Sequence, residues 1–264
     1  HGREISTFLV TNAQFPECIE KLDPVTQLYV SVDAATKDQL KAIDRPLFKD
    51  FWERFLASLG ALRAKGQRTV YRLTLIKDSK MHENVKEIEA YAKLLEIGDP
   101  EFIEIKSVTY CGTSKASSLR MENVLWHDEV CLFAEALAAA SGGRYEVAAE
   151  HQHSCCVLVA KTQYKLQGGV WHTWIDYPAF HRLIQRWRET GERFTAEDYM
   201  APTPAWALYK SRERGFSPNE TRHHKQGKKT ASELDVEKLN PDQRRRLEES
   251  KGMLTQDQVE KCSW

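Results

Sequence analysis

Apolar and polar positions follow two rhythms along the first part of the chain. Thr7-Phe8-Leu9-Val10-Thr11 is a short apolar run stopped by Asn12, which predicts a strand, and Phe15 to Leu22 predicts a brief helix broken by Asp23-Pro24. Leu28 to Asp33 predicts a second strand, ending on the polar pair Ser31 and Asp33. A short helical pattern follows, then Asp44-Arg45-Pro46. Leu47, Phe48, Phe51, Trp52, Phe55, Leu56, Leu59 and Leu62 recur at helical spacing, predicting a long helix with Pro46 in its first turn and Asp44 as its cap. Arg68 to Ile76 predicts a third strand ending on Lys77, and Asn84 to Ile97 a helix stopped by Gly98. Phe102 to Tyr110 predicts a fourth strand, with Glu104 and Lys106 as polar interruptions. Beyond a Gly/Ser/Lys loop from Cys111 to Met121, Trp126 to Ala140 has helical character. Tyr145 to His151 and Cys155 to Lys161 are β-like.

Strand and helix alternate at spacings that suit right-handed crossovers, so the fold class expected is α/β with a parallel sheet. The units are too few for a closed barrel of eight. A partial (β/α) barrel, or part of one lacking its first strands, fits better. After Lys161 the composition changes. Residues 164–209 are rich in aromatics, including Trp171, Trp174, Trp187 and Trp206, and are expected to wrap the barrel or lie over its mouth. From about Arg222 apolar residues thin out, His223-His224-Lys225 and Lys228-Lys229 form a basic run, and 240–250 has the pattern of a solvated helix. This tail is expected to be poorly ordered. The expected boundaries are therefore 1–161, 162–221 and 222–264.

Composition narrows the class. The chain has 264 residues, and its 38 Lys and Arg balance its 38 Asp and Glu, which leaves a nucleic-acid partner to be decided by local patches. No apolar run approaches the roughly 20 residues of a membrane span, so a soluble protein is expected. His1 to Thr7 lacks the apolar core of a signal peptide, and the chain does not begin with Met, so it reads as processed or incomplete. Cys18, Cys111, Cys131, Cys155, Cys156 and Cys262 show no C-x-x-C spacing, which favours reduced thiols in a cytoplasmic protein.

STFLVTNAQFP, TQLYVSVDAATKDQLKAIDRPLFKDFWERF, RTVYRLTLIK, FIEIKSVTYCG and EHQHSCCVLVA together resemble the tRNA 4-demethylwyosine synthase family over His1 to about Arg222. The resemblance implies a radical S-adenosyl-L-methionine enzyme of wybutosine biosynthesis, a carbon-carbon lyase with a partial (β/α) barrel and a four-iron four-sulfur cluster. Its implied substrates are N1-methylguanosine beside the anticodon of phenylalanine tRNA and pyruvate, whose carbons close a further ring. An electron donor, such as a flavodoxin-like amino-terminal domain carrying FMN, is also implied. This chain departs from the pattern because no C-x-x-x-C-x-x-C occurs in it, and thiolates are the cluster's ligands. Asp78 to His82 is a smaller departure. The chain is therefore read as the carboxyl-terminal portion of such an enzyme, inactive alone. The alternatives are a non-catalytic tRNA-binding paralogue and a lyase working through a Schiff base.

Asn12, Ser31 and Asp33 stand at predicted strand ends, where short polar side chains can bind the ribose and methionine groups the resemblance implies. Their other reading is as turn and cap residues. Arg72 and Thr74 alternate with leucines and share a strand face, which makes Arg72 a candidate anchor for a carboxylate and Thr74 a cofactor contact. Lys77 and Lys106 stand near strand ends, where a lysine binds phosphate or, when desolvated, forms a Schiff base; the plainer reading is a surface lysine. Arg45 is a candidate tRNA contact or a structural partner of Asp44. Trp126, His127, His151 and His153 are candidates for the substrate side, where aromatics stack on unpaired anticodon-loop bases. Strand alternation would put His151, His153 and Cys155 on one side, as in a transition-metal site. No fourth ligand is identifiable, and no metal is assigned.

Overall fold

Four consecutive strands, β1 (Phe8–Thr11), β2 (Gln27–Ser31), β3 (Thr69–Leu75) and β4 (Phe102–Ser107), lie side by side and parallel in the computed structural model. The structure describes residues 3–77, 84–112 and 119–211. Asp78 to His82, most of the loop after Cys111, the basic run and the 240–250 pattern lie outside the described residues. The described residues all belong to one unit, His1–Gly215. The connections are α1 (Pro16–Lys21), then α2 (Lys37–Asp44) with α3 (Phe51–Lys65), then α4 (Asn84–Gly98). Each crossover advances the sheet by one position in the same direction, so right-handed connections place the helices on one face.

The long helix begins later than its apolar spacing predicts. Asp44 ends α2, Arg45 caps it in the left-handed region (φ 48°), and Pro46 follows the cap as a residue that cannot continue a helix. Leu47 is left 96% exposed, and α3 starts at Phe51 behind Asp50, whose carboxylate takes the Arg54 Nε–H at 3.0 Å.

The sheet is mixed, not wholly parallel. After α5 (His127–Ala140), β5 (Tyr145–His151) and β6 (Cys156–Lys161) pair antiparallel, and β6 pairs antiparallel with β4, giving the six-stranded order β1-β2-β3-β4-β6-β5. The short turn from Gln152 to Cys155 is the reason. A parallel neighbour needs a crossover of about a dozen residues or more.

Alternation along the strands then sorts the side chains. Leu28, Val30, Tyr71, Leu73, Leu75, Ile103, Ile105, Val157 and Val159 face the helices and are buried against Phe55, Leu59, Leu95, Val130 and Leu137. Full burial of one such side chain contributes about 1.5–3 kcal/mol, so this layer fixes the strand register. On the other face only the amino-terminal ends of the strands are covered. There Val70, Phe102, Ala148 and Ala160 pack against Tyr164 and Trp171 of the following segment.

That segment is built from β7 (Lys165–Leu166) paired with β8 (Val170–Trp171), β9 (Trp174–Ile175) paired with β10 (Met200–Ala201), and α6 (Tyr177–Thr190). Buried Arg68 ties it to the sheet: Nε donates to Gln27 Oε1 and Nη2 to the Thr173 carbonyl, both at 2.6 Å, while the guanidinium lies 4.3 Å from the Phe102 ring centre. At Arg68, Tyr164 and Trp171 the aromatic segment covers the amino-terminal ends of the parallel strands. The two sheet edges differ as well. Leu208 bridges Ala149 on β5, whereas Phe8, Leu9 and Val10 on β1 are 47%, 39% and 55% exposed. No helix among the described residues is long and apolar enough to cross a membrane.

Candidate active site on the helix-free face

The face of the sheet that carries no helices is polar toward the strand carboxyl ends. Ser31, Arg72, Glu104 and Leu158 are register partners across β2, β3, β4 and β6. One step further along, Thr74, Lys106, Cys156 and His151 form a second row. Apart from Leu158 these are half-buried polar groups above a buried apolar layer, and they would cost stability in a sheet built only for packing. Their placement at the carboxyl ends of parallel strands is where α/β sheets bind small molecules.

Arg72 is held on two sides. Its Nε donates to Glu104 Oε1 at 2.9 Å, and its guanidinium lies 4.5 Å from the Tyr29 ring centre. Asp33, just past β2, is half-buried and lies beside the Thr74 hydroxyl. Burial pushes its carboxyl above the ordinary range, against the opposing pull of Thr74 and the Arg72 charge. Asp44 belongs to the same field although the residue as a whole is exposed. Desolvation of its carboxyl first, and the Asp33 charge second, push it up to about 6. The Cys156 thiol is pushed up to about 12 by burial and then by Glu104, with Lys106 and Arg72 opposing. It is a protonated packing group, not a thiolate.

A cavity of about 270 Å³ opens beside these rows, lined by Tyr29, Glu104, His151, Cys156, Trp174 and Trp206 among others. Trp174 and Trp206 meet nearly edge to face, with ring centres 6.3 Å apart. Trp171, by contrast, is only 6% exposed and belongs to the core.

The structure brings together Ser31, Asp33, Arg72, Thr74 and Lys106 and sets the remaining candidates around them. Asn12 is exposed beyond the end of β1. Lys77 forms an ion pair with Glu129 at the start of α5, and its carbonyl accepts from the Asn123 side chain at 2.8 Å. Arg45 is on the surface, and Trp126 is 77% exposed. The alternation expected of His151, His153 and Cys155 does not occur. The strand ends at His151, whose Nδ1 lies 2.7 Å from Ser154 Oγ, and Cys155 takes the left-handed region (φ 46°). His153 is exposed, its ring centre 6.3 Å from that of His151. His127 is paired instead with Glu150, Nε2 to Oε2 at 2.8 Å, beside Cys131.

Glu104 and Glu150 were not marked by sequence reasoning. Glu104 had a readable signal, since it alternates with Lys106 on a strand next to Arg72. Glu150 had none, because its partner lies on another element.

The class to which this site belongs follows from comparison. Residues 97–161, which contain β4, α5, β5 and β6, match the family model described as wyosine base formation. The S-adenosyl-L-methionine-dependent tRNA 4-demethylwyosine synthase of Oryza sativa subsp. japonica is 60% identical over 234 residues, 89% of this chain and 35% of that protein. The Homo sapiens enzyme of the same name, TYW1, is 58% identical over 233 residues, 88% of this chain and 31% of that protein. The chain belongs to the tRNA 4-demethylwyosine synthase family and spans about a third of the length of these curated relatives. A solved structure of TYW1 with a lysine-pyruvate adduct bound aligns at a TM-score of 0.53 and 31% identity, over 62% of this chain and 49% of that one.

Proposed function

We propose that this chain supplies the latter part of the barrel (1–161) and the following extension (162–221) of a radical S-adenosyl-L-methionine tRNA-modifying enzyme. The reaction is condensation of N1-methylguanosine in phenylalanine tRNA with pyruvate carbons to give 4-demethylwyosine, in the cytoplasm. One observation carries the reading. Two rows of mostly polar side chains through Arg72 and Thr74 lie at the strand carboxyl ends, on the face free of helices. The relatives' shared name supplies the reaction. The exposed apolar edge of β1 supports further barrel strands being supplied by another part of the protein.

The residues divide the task by chemistry. Arg72, steadied by Glu104 and Tyr29, anchors a carboxylate of cofactor or pyruvate. Asp33 is a half-buried carboxyl without a cationic hydrogen-bond partner among the described residues, so an incoming ammonium or hydroxyl gains a strong acceptor there beside Thr74, and Ser31 and Asn12 at the ends of β2 and β1 are assigned to the same cofactor. S-adenosyl-L-methionine therefore fits this end of the sheet; when bound it supplies the one-electron chemistry. Lys106 in the second row faces the substrate, while Lys77 at the rim, with exposed Arg45 and Trp126, faces tRNA phosphates and bases. His151 and His153 form the wall between. The iron–sulfur cluster does not fit this chain. The one trio of metal-ligating side chains among the described residues contains a single cysteine, and the cluster needs three thiolates. Cluster, FMN and electron donor are assigned to the rest of the longer protein.

A graft tests the reading. This chain replaces the matching segment of the rice relative, and tRNA from a strain lacking the native enzyme is examined by nucleoside mass spectrometry. The graft should form 4-demethylwyosine, and Arg72→Ala and Asp33→Ala grafts should not. A folded, cluster-loaded graft that binds tRNA and S-adenosyl-L-methionine but yields no product would refute the function.

A further inference from the structure

We propose that His127, Cys131 and Glu150 bind one zinc-class divalent metal ion, at a site separate from the polar rows and independent of the reaction proposed above. The three ligand atoms form a compact triangle: Nε2 to Oε2 2.8 Å, Sγ to Nε2 3.4 Å and Sγ to Oε2 3.8 Å. Bonds of about 2.0–2.3 Å to a tetrahedral zinc set ligand edges of about 3.3–3.6 Å, so each edge is within roughly half an ångström of the requirement. His127 and Cys131 stand one turn apart on α5, and Glu150 reaches them from the end of β5. The site is sheltered, with the His127 and Glu150 side chains 11% and 22% exposed.

The donor set selects the metal. Thiolate, imidazole and carboxylate together suit zinc or cobalt and not the all-oxygen magnesium or calcium. One thiolate and one carboxylate balance a charge of +2. Without a metal the trio is poorly matched, because imidazole and thiol compete for the same Glu150 oxygen and the thiol is pushed up to about 11 by burial and then by Glu150. Metal binding replaces the thiol proton, which leaves to solvent, and the hydrogen that Nε2 directs at Glu150 gives way to the metal, so that the ligating imidazole carries its N–H on Nδ1. The Tyr209 hydroxyl, which hydrogen-bonds Glu135 at 2.8 Å and also contacts Cys131, borders the remaining position. Glu150 Oε1 accepts the Lys210 N–H at 2.8 Å, so the ion would join α5, β5 and the segment after Leu208.

Cobalt(II) is the probe, added to the full chain after chelation. One cobalt per chain should bind with a thiolate-to-metal charge-transfer band, lost in Cys131→Ser and retained in Cys155→Ser. A band that survives Cys131→Ser, or no band in the parent, would overturn the site and leave a hydrogen-bonded trio only. Should Cys131→Ser fail to fold, alkylation of the parent decides: zinc must protect Cys131 in the peptide map, and equal labelling with and without zinc overturns the proposal.

Discussion

A single methyl group at Gly98 tests how tightly α4 is fitted to β3. A Cβ there would lie 1.6 Å from the Tyr71 hydroxyl oxygen, 2.8 Å from its Cζ and 3.2 Å from the Leu59 carbonyl oxygen. Restoring ordinary contact requires the Tyr71 tip to retreat by about 1.8 Å, and Tyr71 is fully buried in a close-packed interior. Overpacking of this kind costs about 3 kcal/mol. Alanine's better helix propensity returns about 1 kcal/mol, so Gly98→Ala should destabilise by about 2 kcal/mol. Tyr71→Phe is the informative partner. Its hydroxyl is buried without a hydrogen-bond partner, so removing it from the parent should be nearly neutral. In the Gly98→Ala background the same change deletes the closest overlap and should recover about 1 kcal/mol or more, the Cζ contact remaining. The assay is urea unfolding followed by circular dichroism, with the four proteins closing a double-mutant cycle. Additive effects, or a Gly98→Ala protein as stable as its parent, would refute the packing argument.

Arg72→Ala should destabilise by about 1–2 kcal/mol, the cost of stranding Glu104 discounted for solvent at the guanidinium; an unchanged urea midpoint would argue against the pair. Asp44 gives a pH test. Its folded-state carboxyl is raised from 3.8 to about 6, so the stability it contributes is full below pH 3.8 and is lost as pH rises through 6. Asp44→Asn should therefore be more stable than the parent at neutral pH and equal to it in acid, and denaturation midpoints that differ by the same amount at both would contradict the assignment. Val10, 55% exposed on the open edge of β1, should drive self-association of the isolated chain, and Val10→Lys should lower the mass seen by light scattering.

Much of the frame was legible because its signals are local. The parallel strands and most helices follow from apolar runs and periodicity, and Arg72 with Thr74 from alternation. What was misread depended on chain geometry. The start of α3 was masked by Leu47 and Phe48, apolar residues at helical spacing that precede the helix. The reversal of β6 was set by the short turn after His151. The site was half legible: strand-end residues could be marked singly, but Arg72–Glu104 needed the register between β3 and β4. The trio at His127 needed a contact between α5 and β5, although His127 and Cys131 alone show the one-turn spacing.

The bridge between Ala149 and Leu208 reaches beyond its two residues. A sheet closes into a barrel when its two edge strands pair, and here part of the outer edge of β5 already pairs with its own chain at Leu208. A further strand meets an open edge beside β1, whereas beside β5 it would have to displace Leu208.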